Sequence, residues 1–491
     1  MKRNNYIIAL TAFVSLSSCN DDFMNRFPET DITNETFFTN AKDLETYSNT
    51  FYEDIEDPIN DLLSDNISNY TDNIELQTLL TGNLSPATID PWDWENIRKY
   101  NFLLENSGRI TTDIADVNHF IGITKVFKAI DYYDKVKKYN DVPWYSKTLT
   151  VEDTDLLYKT QDSRELVVDS IMADLAFAVQ YVKEKESKTR ITKTAALAIQ
   201  ARIALHEGTF RKYHNELELN ESDKYLQIVV KACEQIINSG AYQLHISYAE
   251  LFNTSDLSKN REIILFRDYD TSKEMFNNTK IVFDYSYGIS QELVNSYLYL
   301  KEDGTAIPYT NIVDYGKNGY VETFKNRDTR LSMTVAYPGY IKGGESKPYL
   351  TTPDRGGYIQ SKFAPTSIDQ WAWANSYIDV SQIRLAEIYL MYAEAKAELG
   401  TLTQVDLDNT VNKLRERIGL PHLSLLQANS TIDSYMEKQY PNVSGTNKGV
   451  ILEIRRERRV ELAAEGFRFD DVNRWKAGAL FAAKQDRKSV V

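Results

Sequence analysis

Apolar residues recur at helical spacing through most of the chain. Over 118–139, Val126, Ala129, Ile130, Tyr133 and Val136 share one face and predict a helix, which Asn140-Asp141-Val142-Pro143-Trp144 stops. Ahead of it, Trp92-Asp93-Trp94 opens a helix that carries Tyr100, Phe102 and Leu103 toward Asn106. Further helices are predicted over 163–182 and over 191–207, the second ending at Gly208. Residues 54–88, rich in Asn, Asp, Ser and Thr, read as irregular. Residues 23–52 read as a tether that runs into a first helix, with Thr33-Asn34-Glu35 as cap chemistry near its start.

Two stretches read as copies of one unit. Thr194–Gly208 leads through a polar loop to a helix over 222–239 closed by Gly240, and Ile383–Gly400 leads to a helix over 403–418 closed by Gly419 and Pro421. Alanines recur on one face of each first helix, where close approach of a neighbour needs small side chains. The helix–Gly–helix–Gly spacing resembles tetratricopeptide repeats, which need stacked neighbours to bury their faces. Between the copies, 242–377 changes character. Short β-type runs such as Ile263–Phe266 and Ile281–Phe283 alternate with turns at Asp303-Gly304, Pro338-Gly339, Gly343-Gly344 and Arg355-Gly356-Gly357. This reads as a loop-rich insertion, and loops on a rigid scaffold are where binding usually resides.

The stretch Ile451–Trp475 departs from ordinary amphipathicity. Arg455, Arg456, Glu457, Arg458 and Arg459 form an unbroken charged run between apolar flanks, the pattern of a helix packed on most of its faces. Glu453, Glu457, Glu461 and Glu465 recur every four residues, a repulsive spacing unless cations offset it. Arg456, Arg458 and Arg468 stand three residues from Glu453, Glu461 and Glu465 and predict part of that offset. Other segments must supply the rest. Gly466 is predicted to end or kink the helix. An ion-paired structural helix and a set of catalytic acids are the two readings of these glutamates.

Composition and charge narrow the classes. The 491 residues hold 56 basic and 71 acidic side chains, a net charge of −15, with 42% hydrophobic residues and 32 Tyr, 20 Phe and 6 Trp. That balance argues for a packed core and against nucleic acid or adsorption to anionic lipid heads. Residues 1–18 read as a signal peptide, with Lys2 and Arg3 before an apolar run (Ile7–Leu16) too short to span a bilayer. Ser17-Ser18-Cys19 resembles a bacterial lipobox, which would make Cys19 the lipid-attachment residue, and Asn20-Asp21-Asp22 resembles a surface-export signal of Bacteroidota lipoproteins. Removing the peptide takes away two basic residues, and 54 − 71 leaves −17. Cys233, the other cysteine, reads as a small buried hydrophobe.

ERRVELAAEGFRFDDVNRW closely resembles the most distinctive segment of the SusD/RagB family of nutrient-binding lipoproteins. Tyr132–Trp144, Ser239–Leu244, Asn260–Phe266, Glu302–Gly304, Asn326–Leu331 and Arg384–Ala395 are similar to further family landmarks in their usual order. The chain differs from the family in having Asn140 for the commoner glycine of a turn, and in stopping 16 residues past Trp475, which reads as a shortened end. The resemblance implies a mostly α fold: a tetratricopeptide-like scaffold carrying a loop-rich insertion with a few short strands. It groups residues 19–491 as one SusD-like domain, with helical parts at 19–241 and 379–491 and the insertion at 242–378. It implies lipid anchoring at the outer membrane, with the protein exposed at the cell surface. It also implies capture of a glycan, or alternatively of an oligopeptide, for a TonB-dependent SusC-like transporter.

No HExxH, paired CxxC, phosphate-binding glycine loop or GxSxG elbow occurs, and His119, His206, His214, His245 and His422 are scattered. No metal or cofactor is expected. A glycoside hydrolase needs two carboxylates across one bond, which glutamates on a single helix do not provide. Sugars lie on exposed aromatic rings, so loop tryptophans are the candidate ligand contacts. Trp92 and Trp94 flank Asp93, with Asn96 and Arg98 close by. Trp371 and Trp373 form a second pair, with Gln370 and Asn375 as polar neighbours. In each pair an extended backbone would put both rings on one side. The family's starch-binding member uses a tryptophan-bearing segment of the first region. Packing of the insertion onto the helices is the other reading of either pair.

Overall fold

The computed structural model describes residues 37–68, 92–284, 288–350 and 357–482. The lipobox with Cys19, and the cap chemistry at Thr33–Glu35, lie outside the described residues. The first helix, α1 (Ala41–Asn49), begins at Asn40, whose side chain and that of Asp43 form a reciprocal capping box. There follow α2 (Glu95–Ser107), α3 (Ile114–Tyr139), α4 (Arg164–Tyr181), α5 (Lys193–Tyr213) and α6 (Ser222–Asn238). After the insertion come α7 (Leu385–Glu398), α8 (Val411–Arg417), α9 (Lys448–Glu461) and α10 (Arg468–Arg474). In the stack α3 lies against α2 and α4, α5 against α4 and α6, α6 against α7, and α7 against α9. The predicted alanine faces are at these contacts: Ala195, Ala198, Ala201 and Ala204 of α5 and Ala386 and Ala393 of α7 are buried. A single apolar cluster runs from Phe38 to Trp475 and Ala477, and Cys233 is buried in it.

Several predicted boundaries move, each for a local reason. Gly208 does not end its helix: α5 runs on to Tyr213, and Gly208 sits where α6 crosses. A Cβ there would stand 3.0 Å from Leu226 Cγ and 3.1 Å from the Ser222 carbonyl oxygen, so glycine serves close packing. Ile383-Arg384 belongs to a strand, and α7 starts only at Leu385. The helix predicted over 403–418 is two, Gln404–Asp408 and α8, broken at Thr410. There the Thr410 hydroxyl donates to the Asp406 carbonyl (2.6 Å), and Asn412 donates to Asp408, side-chain bonds that compete with the helix. Asn140 does take the left-handed region, with φ +66°.

Among the described residues the strands form short antiparallel pairs, two of which join the insertion to segments outside it. Of β1 (Ile67–Ser68), β2 (Ile263–Arg267), β3 (Gly288–Ile289), β4 (Tyr299–Leu300), β5 (Ala306–Ile307) and β6 (Val380–Arg384), β1 pairs with β3, β2 with β6 and β4 with β5. In β2–β6, Ile263 faces Arg384 and Arg267 faces Val380. Ile281–Phe283, expected as a β-run, is a helical turn (Ile281–Asp284); three apolar residues do not distinguish the two periods.

Helix α9 joins the two parts. Ile451 and Ile454 belong to the main cluster, while Val460 and Ala463 belong to a cluster of the insertion with Leu293, Tyr297 and Leu331. Its charged run is buried, and it is ion-paired mostly with distant segments. Glu457 pairs with Arg415 (2.7 Å) and Arg330 (3.1 Å); Glu461 pairs with Arg330, Arg384 and Arg417; Glu465 pairs with Arg384 and Lys362. Of the expected three-residue pairs only Arg456–Glu453 forms (3.1 Å). Arg458 turns instead to Asp471 (2.8 Å) and Arg468 to Asp65 (2.6 Å). The helix ends at Glu461, before Gly466. The turn beyond it, with positive φ at Ala464 and Gly466, is held by Asp61, which accepts the N–H of both residues.

Candidate functional site

Trp92 and Asp93 lead into α2. The Asp93 carboxylate accepts the Glu95 N–H (2.9 Å), a local bond that starts the first turn beside Trp94. The Trp92 ring is 44% exposed and stands edge-on to Trp94 (5.1 Å) and to Tyr139 (4.6 Å). Trp94 is the packed member. It meets Tyr132 and Tyr145 edge-on, and the Lys135 ammonium lies 5.1 Å from its centroid while donating to the Asp93 carbonyl. Asn96 is half-buried, and its amide oxygen accepts from Lys99 (3.2 Å). Beneath them burial pushes the Asp131 carboxyl up to about 6, although Tyr100 donates to it (3.0 Å). The result is one exposed ring braced by two aromatics, Trp94 and Tyr139.

The second pair splits in the same way. Trp371 closes a 3₁₀ turn (Ile368–Trp371), packs edge-on against Phe283 (5.6 Å) and carries the Lys342 ammonium 3.8 Å from its centroid. Trp373 is 66% exposed, with the Lys280 ammonium 5.7 Å from its ring centroid. Ala372 between them is extended (φ −70°, ψ 158°), but the 3₁₀ turn precedes it and Ala374 has φ +50°, and the two rings take different environments. The polar neighbours expected to meet a ligand are engaged in the loop. Gln370 is buried and accepts from Ser376 Oγ (3.1 Å) and the Tyr377 N–H (3.3 Å), and Asn375 donates to the Asp369 carbonyl (2.7 Å).

Each pair therefore contributes one exposed ring, Trp92 or Trp373, and one anchor, Trp94 or Trp371. The first pair packs against α3 and the loop after it, the second against the Phe283 turn. Open clefts lie elsewhere, among them one of about 370 Å³ lined by residues including His119 and Arg190 and another of about 550 Å³ around Gln243–Ile246 and Arg261. Both tryptophan surfaces are open faces, a geometry that suits a flat apolar ligand surface with polar edges. Sequence reasoning missed Tyr139, Tyr145, Lys135, Lys280 and Lys342. Tyr132, Lys135 and Tyr139 stand at i, i+3 and i+7, a helical signal that marks one face; the lysines near Trp371 and Trp373 come from distant segments and carry no local signal. Among the described residues no three His, Cys, Asp or Glu side chains group to hold a metal ion. No described helix is long and apolar enough to cross a membrane.

The charged helix, β2 and most of the insertion fall within residues 261–489, which match the SusD family. The chain is 23% identical to SusD-like protein P25 of Formosa agariphila, over 99% of this chain and 92% of that protein. It is likewise 23% identical to a SusD-like protein of Bacteroides ovatus, over 97% of this chain and 83% of that one. In structure it is similar to a SusD-like carbohydrate-binding protein from Bacteroides fragilis, with a TM-score of 0.71, 21% identity and coverage of 91% and 88% of the two chains. It is similar also to a laminarin-binding SusD-like protein, with a TM-score of 0.57, 19% identity and coverage of 91% and 94%. The family segment, on the helix that joins scaffold to insertion, lies within the residues that match the SusD family, and the chain around it has the SusD-like fold.

Proposed function

We propose that this chain captures glycans at the cell surface and passes them to a TonB-dependent, SusC-like outer-membrane transporter, held at the membrane by acyl chains on Cys19. The observation that carries the reading is Trp92, an exposed ring fixed edge-on by Trp94 and Tyr139 at the mouth of α2. A braced ring loses little freedom when a pyranose lies on it, so the contact area is not offset by ordering cost. The carbohydrate-binding and laminarin-binding relatives support the same class of ligand. Domain organisation follows the reading: residues 19–491 act as one SusD-like unit, with the helical parts as scaffold and 242–378 carrying the second ring.

Binding rather than hydrolysis fits the acids of α9. Glu457, Glu461 and Glu465 are buried and held by Arg330, Arg384, Arg415 and Lys362, so none is placed to protonate a bound sugar. Incubation with fluorescent oligosaccharides and with oligopeptides tests the class. Intact oligosaccharide retained on the protein is the expected result; retention of peptide alone, or release of shortened sugars, would overturn it. Metabolic labelling with an alkynyl palmitate is expected to mark the wild-type protein and to miss Cys19→Ala, and equal label on both would remove the anchor.

A further inference from the structure

The second exposed tryptophan has an electrostatic setting that the first lacks. Lys280 and Lys342, from opposite sides of the insertion, both converge on the Trp371–Trp373 loop. They share the Asp284 carboxylate unequally: Lys342 donates to it at 2.9 Å, while Lys280 stays at 3.9 Å. Lys342 also lies over the Trp371 ring at 3.8 Å, so its charge is engaged on two sides. Lys280 is different. Its side chain is only 13% exposed, yet among the described residues its ammonium has no hydrogen-bond partner. It stands 5.7 Å from the Trp373 centroid, near the outer limit of a cation–π contact, against 3.8 Å for Lys342 over Trp371, so the ring engages it only weakly. An ammonium has three donors, and that of Lys280, which is not among the buried nitrogens left unpaired, keeps donors open to a ligand beside the ring. The ring beside it is 66% exposed.

We infer that Trp373, Lys280 and Lys342 form a subsite for an anionic pyranose, one bearing a carboxylate or a sulfate ester. The C–H face of the sugar lies on Trp373 while its anionic group accepts from Lys280, with Lys342 holding Asp284 aside. The subsite rests on the glycan-capture reading and adds to it the charge class of the ligand. Charge-assisted bonds of this kind are short and strong when partly desolvated, which makes the acidic unit the one that discriminates among chains. The close approach of the Gly343-Gly344 turn to Thr366 and Ile368 keeps Lys342 in place: a Cβ on Gly344 would fall 2.4 Å from Ile368 Cβ.

The test is titration calorimetry of the mature protein with four probes: tetragalacturonate, a sulfated carrageenan tetrasaccharide, laminaritetraose and cellotetraose. The expected result is binding of one or both anionic probes, weakened at least tenfold in Lys280→Met, restored in large part in Lys280→Arg, and falling with added salt. Preference for tetragalacturonate or for the sulfated probe assigns the anionic group. Thermal unfolding of each variant, expected to be unchanged, separates a lost contact from a lost fold. Binding of neutral probes alone, or of anionic probes with undiminished affinity in Lys280→Met, overturns the subsite and leaves glycan capture standing. Binding of none of the four, with none on a broader glycan array, overturns both.

Discussion

Glu461 accepts from Arg330, Arg384 and Arg417 with no solvent contact, and Arg384 reaches on to Glu262 and Glu465. One carboxylate thus ties α9 to the insertion, to β6 and to the last residue of α8. Removing it takes one partner from each of three buried guanidinium groups and leaves an excess of buried positive charge, and Glu461→Ala is expected to cost about 3–5 kcal/mol in urea unfolding. Arg455 is held differently. It meets Glu398 at 3.3 Å and is enclosed by Trp475, Tyr213 and Tyr440, with centroids 4.5, 4.8 and 5.1 Å away, so its N–H groups without oxygen partners face rings. The carboxylates set the acid limit of the fold. Burial works to raise Asp65 and Glu394, but Arg459 and Arg468 around the first, and Arg474 with its neighbours around the second, outweigh it and leave both near 2, below their ordinary 3.8 and 4.5. Since the folded values lie below the unfolded ones, this stabilisation is present above about pH 4.5 and is lost as pH falls toward 2. The unfolding temperature is therefore expected to be level near neutrality and to drop steeply between pH 4.5 and 2; a level profile through that window would contradict the ion-pair account.

At the scale of elements, close approach decides where small residues stand. Gly449 opens α9 against the short helix before it, and a Cβ there would fall 1.9 Å from the Ala428 carbonyl oxygen. Since backbone cannot yield as a side-chain tip does, Gly449→Ala is expected to cost about 3 kcal/mol and to lower the chemical-denaturation midpoint without changing its slope. Elements with strong periodicity were legible in the sequence: α3, α4 and α6 fall within four residues of their predicted limits, and β2 within one. Those that moved did so where side chains overrode the period. Gly208 serves packing rather than termination, Thr410 bonds the Asp406 carbonyl and Asn412 the Asp408 side chain where a helix breaks, and a three-residue apolar run folds as a turn.

Across the whole molecule, what the sequence could not reveal is what depends on distance along the chain. The charged run announced that partners must exist, but not that Arg459 and Arg468 would find Asp65, some 400 residues away, in a stretch read only as irregular. The tryptophan pairs were visible as pairs, while their division into an anchor and an open ring follows from Tyr139, Phe283 and Lys342, residues of other segments. That division turns two candidate patches into two specific rings on one scaffold. The most direct measurement is the glycan affinity of the Trp92→Ala, Trp373→Ala double variant beside that of Trp94→Ala, each with its unfolding temperature. The account predicts that the double variant loses at least tenfold in affinity with its unfolding temperature within about 2 °C of wild type, and that Trp94→Ala unfolds several degrees lower. Full affinity in the double variant would contradict it.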